Sequence, residues 1–329
     1  MKVLITGGFG FIGHHFVESL IKKTDWQILI LDRASNKYSK KRKEDLRILD
    51  NKQVSYVNFD FATLNAYQTL LQYGDVDYIF HLGAKTEVNE SLQIPNEYIH
   101  SNIIGTKELL DYALLQKNLK KFIYISTAEI FGPGKREKPF SEWSNYNCQS
   151  IYASTKAAGE ELTLAYSSQA GIPVLIVHTM NVFGEREKPN KFIPQIIRSA
   201  IDNKTIPIYC KSDTGIGGRT YIDILSLIDA LYFLLENSEN LSSREKINIA
   251  GDDFFTNQEF AEKICQILKK PINIEYKYFF DQNFGHIINT SLDTSKLHQL
   301  GWKNKKNISD DLERVVAWWI KNNDWLRMK

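Results

Sequence analysis

Residues 3 to 22 pass from an apolar run, Val3-Leu4-Ile5, through a turn with glycine at every third position, Gly7, Gly10 and Gly13. They then enter a stretch with helical periodicity at Phe11, Ile12, Phe16, Val17, Leu20 and Ile21. A strand that feeds a helix through so tight a turn belongs beside a ligand crevice, because glycine lets backbone N–H groups and the helix N-terminus approach an anion. Apolar runs recur at residues 28–31, 54–57, 78–82, 122–125 and 174–177, mostly with helical patterns between them. They are apolar throughout rather than alternating, as strands of a parallel sheet covered on both faces must be. The expected fold is therefore α/β: a doubly wound parallel sheet of the Rossmann type, followed by a smaller mixed α/β lobe. Residues 1–180 are assigned to the first domain and 181–329 to the lobe, with some segments returning to the first domain.

The bulk numbers narrow the classes. A chain of 329 residues that is 43% hydrophobic is long enough for one large domain or two that share a core. A net charge of +2 gives no reason to expect nucleic acid or an anionic membrane as partner. Cys148, Cys210 and Cys265 lie far apart without metal-ligand spacing, so idle thiols in a reducing compartment are expected and no metal site. No apolar run approaches the ~18 residues of a membrane span, and no signal peptide precedes the first strand, so a cytoplasmic location is expected. The basic run from Lys37 to Lys43 reads as a solvated face. A last amphipathic helix is expected, capped by Ser309 and carrying Leu312, Val315, Val316, Trp319 and Ile320.

The glycine turn predicts a dinucleotide site built from Gly7, Phe9, Gly10, Phe11, Ile12 and Gly13. Asp32 ends the second apolar run, where a carboxylate accepts hydrogen bonds from adenosine ribose hydroxyls and repels a 2′-phosphate. NAD is therefore the expected cofactor. Asp60 and Phe61, read as the end of the third strand, are placed to meet the adenine, and Leu82 and Ala84 follow the fourth.

Tyr152 and Lys156 stand four residues apart in a helical stretch and so share one face. An ammonium one turn from a phenol, together with the positive charge of the nicotinamide, is expected to lower its pKa and make it a usable base, and Lys156 can also hold the nicotinamide ribose. Thr127 ends the strand before it, where a hydroxyl can bond the same substrate oxygen, and Asn102 can tie helix backbone and water into a relay. A dinucleotide turn and a phenol–ammonium pair in one chain point to redox chemistry at a carbinol.

This set resembles the extended short-chain dehydrogenase/reductase family, over nearly the whole chain. Within it the chain is similar to the nucleoside-diphosphate-sugar 4,6-dehydratases. The matching stretches are His81-Leu82-Gly83-Ala84, Ser126-Thr127-Ala128-Glu129-Ile130-Phe131-Gly132, Met180-Asn181-Val182-Phe183-Gly184, Lys191-Phe192-Ile193-Pro194 and Arg219-Thr220-Tyr221-Ile222-Asp223, then Gly285-His286 and Leu292-Asp293. The resemblance implies a nucleoside-diphosphate sugar bound by the second lobe, with Asn181, Lys191 and Arg219 facing the diphosphate. Thr86, Glu87, Phe192 and His286 are expected to line the rest of the substrate site. Ile208 and Tyr209 either border the base or pack in the core. The implied reaction oxidises C4 with Tyr152 as base, removes the C5 proton with Glu129 and expels water from C6. A homodimer through the helices containing Asn102 and Tyr152 is implied as well.

The departures from the pattern matter. Ala128 stands where the dehydratases carry the aspartate that protonates the leaving hydroxyl, and Glu87 is one candidate to replace it. Asn89 replaces an Asp, and Gln282 an Arg. A decarboxylase, a 4-epimerase or a 5,6-dehydratase sharing the C4 oxidation remains open, as does a nucleotide-binding regulator without catalysis.

Overall fold

The computed structural model describes residues 1–210, 215–278 and 289–328. Its core is a seven-stranded sheet: β1 (Lys2–Thr6), β2 (Gln27–Leu31), β3 (Val54–Val57), β4 (Tyr78–His81), β5 (Lys121–Thr127), β6 (Val174–Thr179) and β7 (Glu245–Ile249). All pairings are parallel and the order is β7-β6-β5-β4-β1-β2-β3. The chain winds outward from β1 to β3, then crosses back to β4, so the order reverses between β1 and β4. Ligands bind at such a switch point, beyond the carboxyl ends of the strands. Here a methyl built on Gly7 would lie 2.8 Å from Gly83 Cα, so both turns need glycine to come this close.

Both faces are covered, which is why the strands could be apolar throughout. Helix α1 (Phe11–Lys23) and the helix Ile224–Glu236 pack Phe16, Leu20, Leu227 and Leu231 on one face, against Ile30 and Phe80. The helix Gly105–Leu114 and the longer α3 (Ile151–Ala170) pack Leu109, Tyr112 and Leu164 on the other, against Phe122, Tyr124 and Ile176. Helix α2 (Lys37–Leu46) carries the basic run, and it is not simply solvated. Lys37 and Lys40 are exposed, but Arg42 is buried and donates to the carbonyls of Phe9 at 3.2 Å and Arg186 at 2.7 Å.

The second half builds short pieces around its own core of Ile193, Ile197, Phe260, Ile264, Val315, Val316 and Trp319. Gly218–Arg219 pairs with Phe255–Thr256 and Asn289–Thr290, and Ile206–Cys210 pairs with Ile274–Tyr278. Helix α4 (Phe192–Ile201) leads into this lobe and α5 (Ile308–Lys321) closes it. The cap of α5 is Asn307, not Ser309: Asn307 is the last extended residue, and its side chain accepts from Asp310 N at 2.9 Å. Ile320 lies about 100° around from Trp319, off the apolar stripe, and is exposed. Cys148, Cys210 and Cys265 are free thiols. Among the described residues no helix is long and apolar enough to cross a membrane.

Candidate active site

The glycine turn is packed too tightly for side chains. Gly7 has φ +68°, and a methyl on Gly10 or Gly13 would stand 2.9 or 2.1 Å from Gly7 O. The turn closes through Gly10 N to Gly7 O at 2.8 Å, and α1 begins immediately after it. Phe9 contributes only its backbone here, since its ring is fully buried against Tyr56. Its N–H donates to Asp32 Oδ2 at 2.9 Å, while Ala34 N donates to Oδ1 at 2.7 Å. Burial raises the Asp32 carboxyl, and these two backbone bonds oppose the rise. Phe11, Ile12, Leu82 and Ala84 are half-buried around the turn. Asp60 and Phe61 lie beyond β3, which ends at Val57, rather than within it. Asp60 takes Arg33 at 2.8 Å, which turns that cation aside, and Phe61 packs against Gly83 and edge-on to His81.

The shape, the N–H groups and the buried carboxylate fit NAD. Replacing Gly13 with alanine is expected to cost about 1–3 kcal/mol, because the methyl must displace the turn carbonyl. NAD affinity is expected to fall by roughly tenfold or more, on the scale of tenfold per 1.4 kcal/mol, and calorimetric titration checks it.

Behind the turn, His14, His15 and Glu18 bring possible ligand atoms within 4.8 Å of one another. His14 Nδ1 is spent on Gly10 O at 2.7 Å and His15 Nε2 on Glu185 O at 3.1 Å. Arg186 reaches Glu18 at 3.5 Å, so a cation there would face a guanidinium. The cluster reads as packing.

Tyr152 and Lys156 share a buried face of α3, 9% and 4% exposed. Ser150 caps the helix by accepting from Ala153 N at 3.0 Å, which fixes the entry of the first turn. Thr127 accepts from Glu129 N at 3.3 Å, which orders the turn Ala128–Phe131, and its hydroxyl lies on the Tyr152 side, where it acts to lower the phenol. Ser126 Oγ beside it is buried with no hydrogen-bond partner among the described residues. Asn102 lies in a π-helical turn, His100–Ile104, a widening found often at functional sites. Its amide bonds Thr155 Oγ1 at 3.0 Å and both polar groups of Lys85, N at 2.9 Å and O at 3.0 Å. It therefore ties α3 to the loop after β4.

The protein's own groups set the following electrostatics at this site. Burial raises the Tyr152 phenol well above its ordinary value, with Thr127 opposing and Glu129 and Glu87 adding to the rise. Burial also brings Lys156 down to about 7, against the pull of Glu160. The Lys156 ammonium rests 4.1 Å from the centre of the Tyr124 ring rather than acting on the phenol. Glu129 is raised by burial, with Arg219 and Lys191 opposing.

Glu87 is not a spare acid. It accepts from Lys188 at 2.7 Å and Lys191 at 2.8 Å. Burial alone would raise its carboxyl, but Lys191 and Lys188 more than offset this and hold it below the usual range. Lys191 is thereby seated on Glu87, within electrostatic reach of Glu129. Arg219 is 9% exposed, not a surface charge, and hydrogen-bonds Tyr221, on which Phe192 stacks at 6.3 Å. Asn181 is exposed and gives its carbonyl to Ile222 N at 3.1 Å, and Thr86 is exposed. Ile208 is wholly buried in the second core, so core packing is its role, while Tyr209 on the opposite face of the strand is 43% exposed. His286, Gly285 and Gln282 lie outside the described residues.

The model of the "NAD dependent epimerase/dehydratase family" matches residues 3–250. The chain belongs to this family. Among the family's curated proteins it is 29% identical to a dTDP-glucose 4,6-dehydratase of Haemophilus influenzae, over 98% of this chain and 99% of that one. It is 27% identical to dTDP-glucose 4,6-dehydratase 1 of Escherichia coli, covering 99% and 94%. Two solved members share the architecture at TM-score 0.88. One is a UDP-glucuronic acid 4-epimerase of Bacillus cereus in complex with UDP-glucuronic acid and NAD, at 26% identity, covering 98% of this chain and 99% of that one. The other is the dTDP-glucose 4,6-dehydratase DesIV of Streptomyces venezuelae with NAD, at 25% identity and 99% of each chain.

Sequence reasoning in this NAD-dependent family member also passed over Glu187, whose burial is not visible in the pattern. It sits in Glu185-Arg186-Glu187-Lys188, where charge suggests solvent, yet it is 8% exposed. Nothing in the pattern marks it, because the loop carrying it is buried by long-range contacts rather than by periodicity.

Proposed function

We propose that the chain is an NAD-dependent nucleoside-diphosphate-hexose 4,6-dehydratase. The observation that carries the reading is Glu129, a half-buried carboxyl within electrostatic reach of the Tyr152 phenol. An oxidation followed by C4 epimerisation needs no carboxyl there; abstraction of a C5 proton does. Tyr152, beside Thr127, takes the proton of the C4 hydroxyl, and Lys156 holds the cofactor ribose. NAD held by the glycine turn, Asp32 and Lys156 would supply the hydride acceptor and donor and a positive charge that favours the phenolate. The 4-ketone acidifies C5, whose proton passes to Glu129 as water leaves C6.

Arg219 and Lys191 supply the positive charge for the diphosphate, with Asn181, Thr86, Glu87, Phe192, Tyr209 and His286 as the remaining contacts. Arginine suits two phosphates because its fork donates parallel charged bonds. Incubation with dTDP-, UDP-, GDP- and CDP-hexoses followed by mass spectrometry tests the reading. A product lighter by one water is expected. Loss of carbon dioxide from the corresponding nucleoside-diphosphate uronic acids, assayed alongside, would identify a decarboxylase, and an isomer of unchanged mass an epimerase.

The epimerase reading has one observation in its favour. Ala128 is packed among Ile130, Phe131, Ala157, Met180, Ala250 and Leu292, so the usual acid position is apolar. A cytoplasmic homodimer completes the proposal. Ile99 and Ile104, 43% and 36% exposed beside Asn102, support a subunit surface there, and light scattering that returns a monomer would sink it.

A further inference from the structure

Thr6 and His81 end β1 and β4, in register with each other and with Tyr124 on β5. Neighbours in register present their side chains on one face of a sheet, here the face under α3 and the helix Gly105–Leu114. His81 is 1% exposed, and each of its nitrogens has a hydroxyl beside it. Nδ1 lies 2.8 Å from Thr6 Oγ1, and Nε2 lies 3.0 Å from Thr106 Oγ1. The other partners of these hydroxyls fix the direction of each bond. Thr106 gives its one proton to Asn102 O at 2.7 Å, so it accepts from His81, and Nε2 carries the hydrogen. Burial and the Lys156 ammonium hold the imidazole well below its ordinary pKa, so the ring is neutral and Nδ1 is bare. Thr6 therefore donates to Nδ1 while accepting from Gly83 N at 3.0 Å. Beyond Asn102 the line continues. Lys85 N donates to Asn102 Oδ1 at 2.9 Å, which orients the amide, and Nδ2 donates to Thr155 Oγ1 at 3.0 Å. Thr155 gives its own proton to Tyr152 O at 2.9 Å.

A directed line of hydrogen bonds thus runs from Gly83, against which Gly7 of the glycine turn is packed, through Asn102 to the backbone of Tyr152. Thr6, His81, Thr106, Asn102 and Thr155 are each at most 3% exposed. A buried polar network with every member satisfied rigidifies the elements that it joins. We propose that His81 is a positioning residue, which registers the Tyr152–Lys156 helix against the NAD turn through this line. It acts through Thr6 on one side and through Thr106 and Asn102 on the other, and takes no part in the chemistry itself. The proposal rests on the reading of Tyr152 as the C4 base, which the dehydratase and epimerase alternatives share.

Thr106→Val and Thr106→Ser test it. Valine keeps the shape of threonine and cuts the line, whereas serine keeps the hydroxyl and loses only a methyl. In Thr106→Val, kcat at saturating nucleoside-diphosphate hexose is expected to fall about 10–10²-fold, the scale set by a misplacement of about 1 Å from a remote substitution. NAD affinity should weaken with it, because Lys156 moves with α3, while the substrate KM should hold, because the second lobe is untouched. Thr106→Ser should restore both kcat and NAD affinity. Thr155→Val cuts the line at its other end and should repeat the loss, which keeps the test open if Thr106→Val does not fold. In the wild-type protein the imidazole nitrogen NMR resonances, with His81 assigned by its absence in His81→Gln, should show a neutral ring protonated at Nε2. Wild-type kcat in the valine variants overturns the proposal, even where their melting temperature drops. So does a serine variant as impaired as the valine one, which would mark Thr106 as packing, and so does a ring protonated at Nδ1. A wild-type protein that converts no hexose overturns the chemistry assigned to Tyr152 instead. NAD titration of the same variants, with the nitrogen spectrum, then still decides the role of His81.

Discussion

Tyr152→Phe is expected to lower turnover by about 10²–10⁴-fold, the range for removal of a positioned proton acceptor. The loss should fall on kcat and leave NAD affinity unchanged. The substitution removes one oxygen from a ring that is 9% exposed and well packed. The glycine turn, Asp32 and Lys156 are untouched. Thr127 keeps its bond from Glu129 N, so the stability cost is at most about 1 kcal/mol, that of a single hydrogen bond. Turnover at saturating substrate, beside a calorimetric titration with NAD, makes the comparison. A variant that still turns over at the wild-type rate would remove the phenol from the reaction, and with it the C4 oxidation on which dehydration and epimerisation both depend.

The sequence made the sheet legible and the second lobe largely not, for one physical reason. Strands β1, β2, β4, β5 and β6 are buried on both faces, so their apolar runs announce them without reference to partners, while the edge strand β3 leaves Ser55 exposed. Strand β7 is equally buried but reads Glu245-Lys246-Ile247-Asn248-Ile249, a pattern of alternating polarity that suggests a wet face. Its polar positions are inside because partners far along the chain satisfy them: Asn248 Nδ2 donates to Phe140 O and Asp293 O, and Lys246 meets Glu160. Local pattern cannot see such pairing. The same limit applies at the site. Gly7, Gly10, Gly13, Tyr152 and Lys156 are legible because spacing along one turn or one helix face decides their geometry. Glu187 and Arg42 are not, since each is buried by elements distant in sequence. Spacing alone does not give the Lys156 contribution at Tyr152, because one helical turn fixes which face Lys156 occupies but not where its ammonium points. Tyr124 supplies that answer from β5.

Lys246→Met is expected to destabilise the fold by about 3–5 kcal/mol, the cost of leaving a buried partner charge uncompensated. Glu160 is fully buried one turn beyond Lys156 on α3, and Lys246 is 2% exposed on β7. The ion pair spans 2.8 Å, and Glu160 also meets His178 Nε2 at 3.1 Å and the Tyr146 hydroxyl at 2.8 Å. Burial pushes the Glu160 carboxyl up, yet His178 and Lys246 more than offset it and hold it well below the ordinary range. A folded pKa below the unfolded value means that the carboxylate contributes stability above about 4.3, the unfolded glutamate value. That contribution is lost as pH falls toward the folded value. Methionine keeps much of the lysine stem's packing beneath Trp143 while removing the charge, and the carboxyl then rises toward its unfolded value. Urea unfolding at pH 7 should therefore show the full loss, and the gap between variant and wild type should narrow as pH falls below about 4, where the wild-type pair also weakens. A gap of less than about 1 kcal/mol at pH 7, the worth of an exposed pair, would mean that water reaches the cluster.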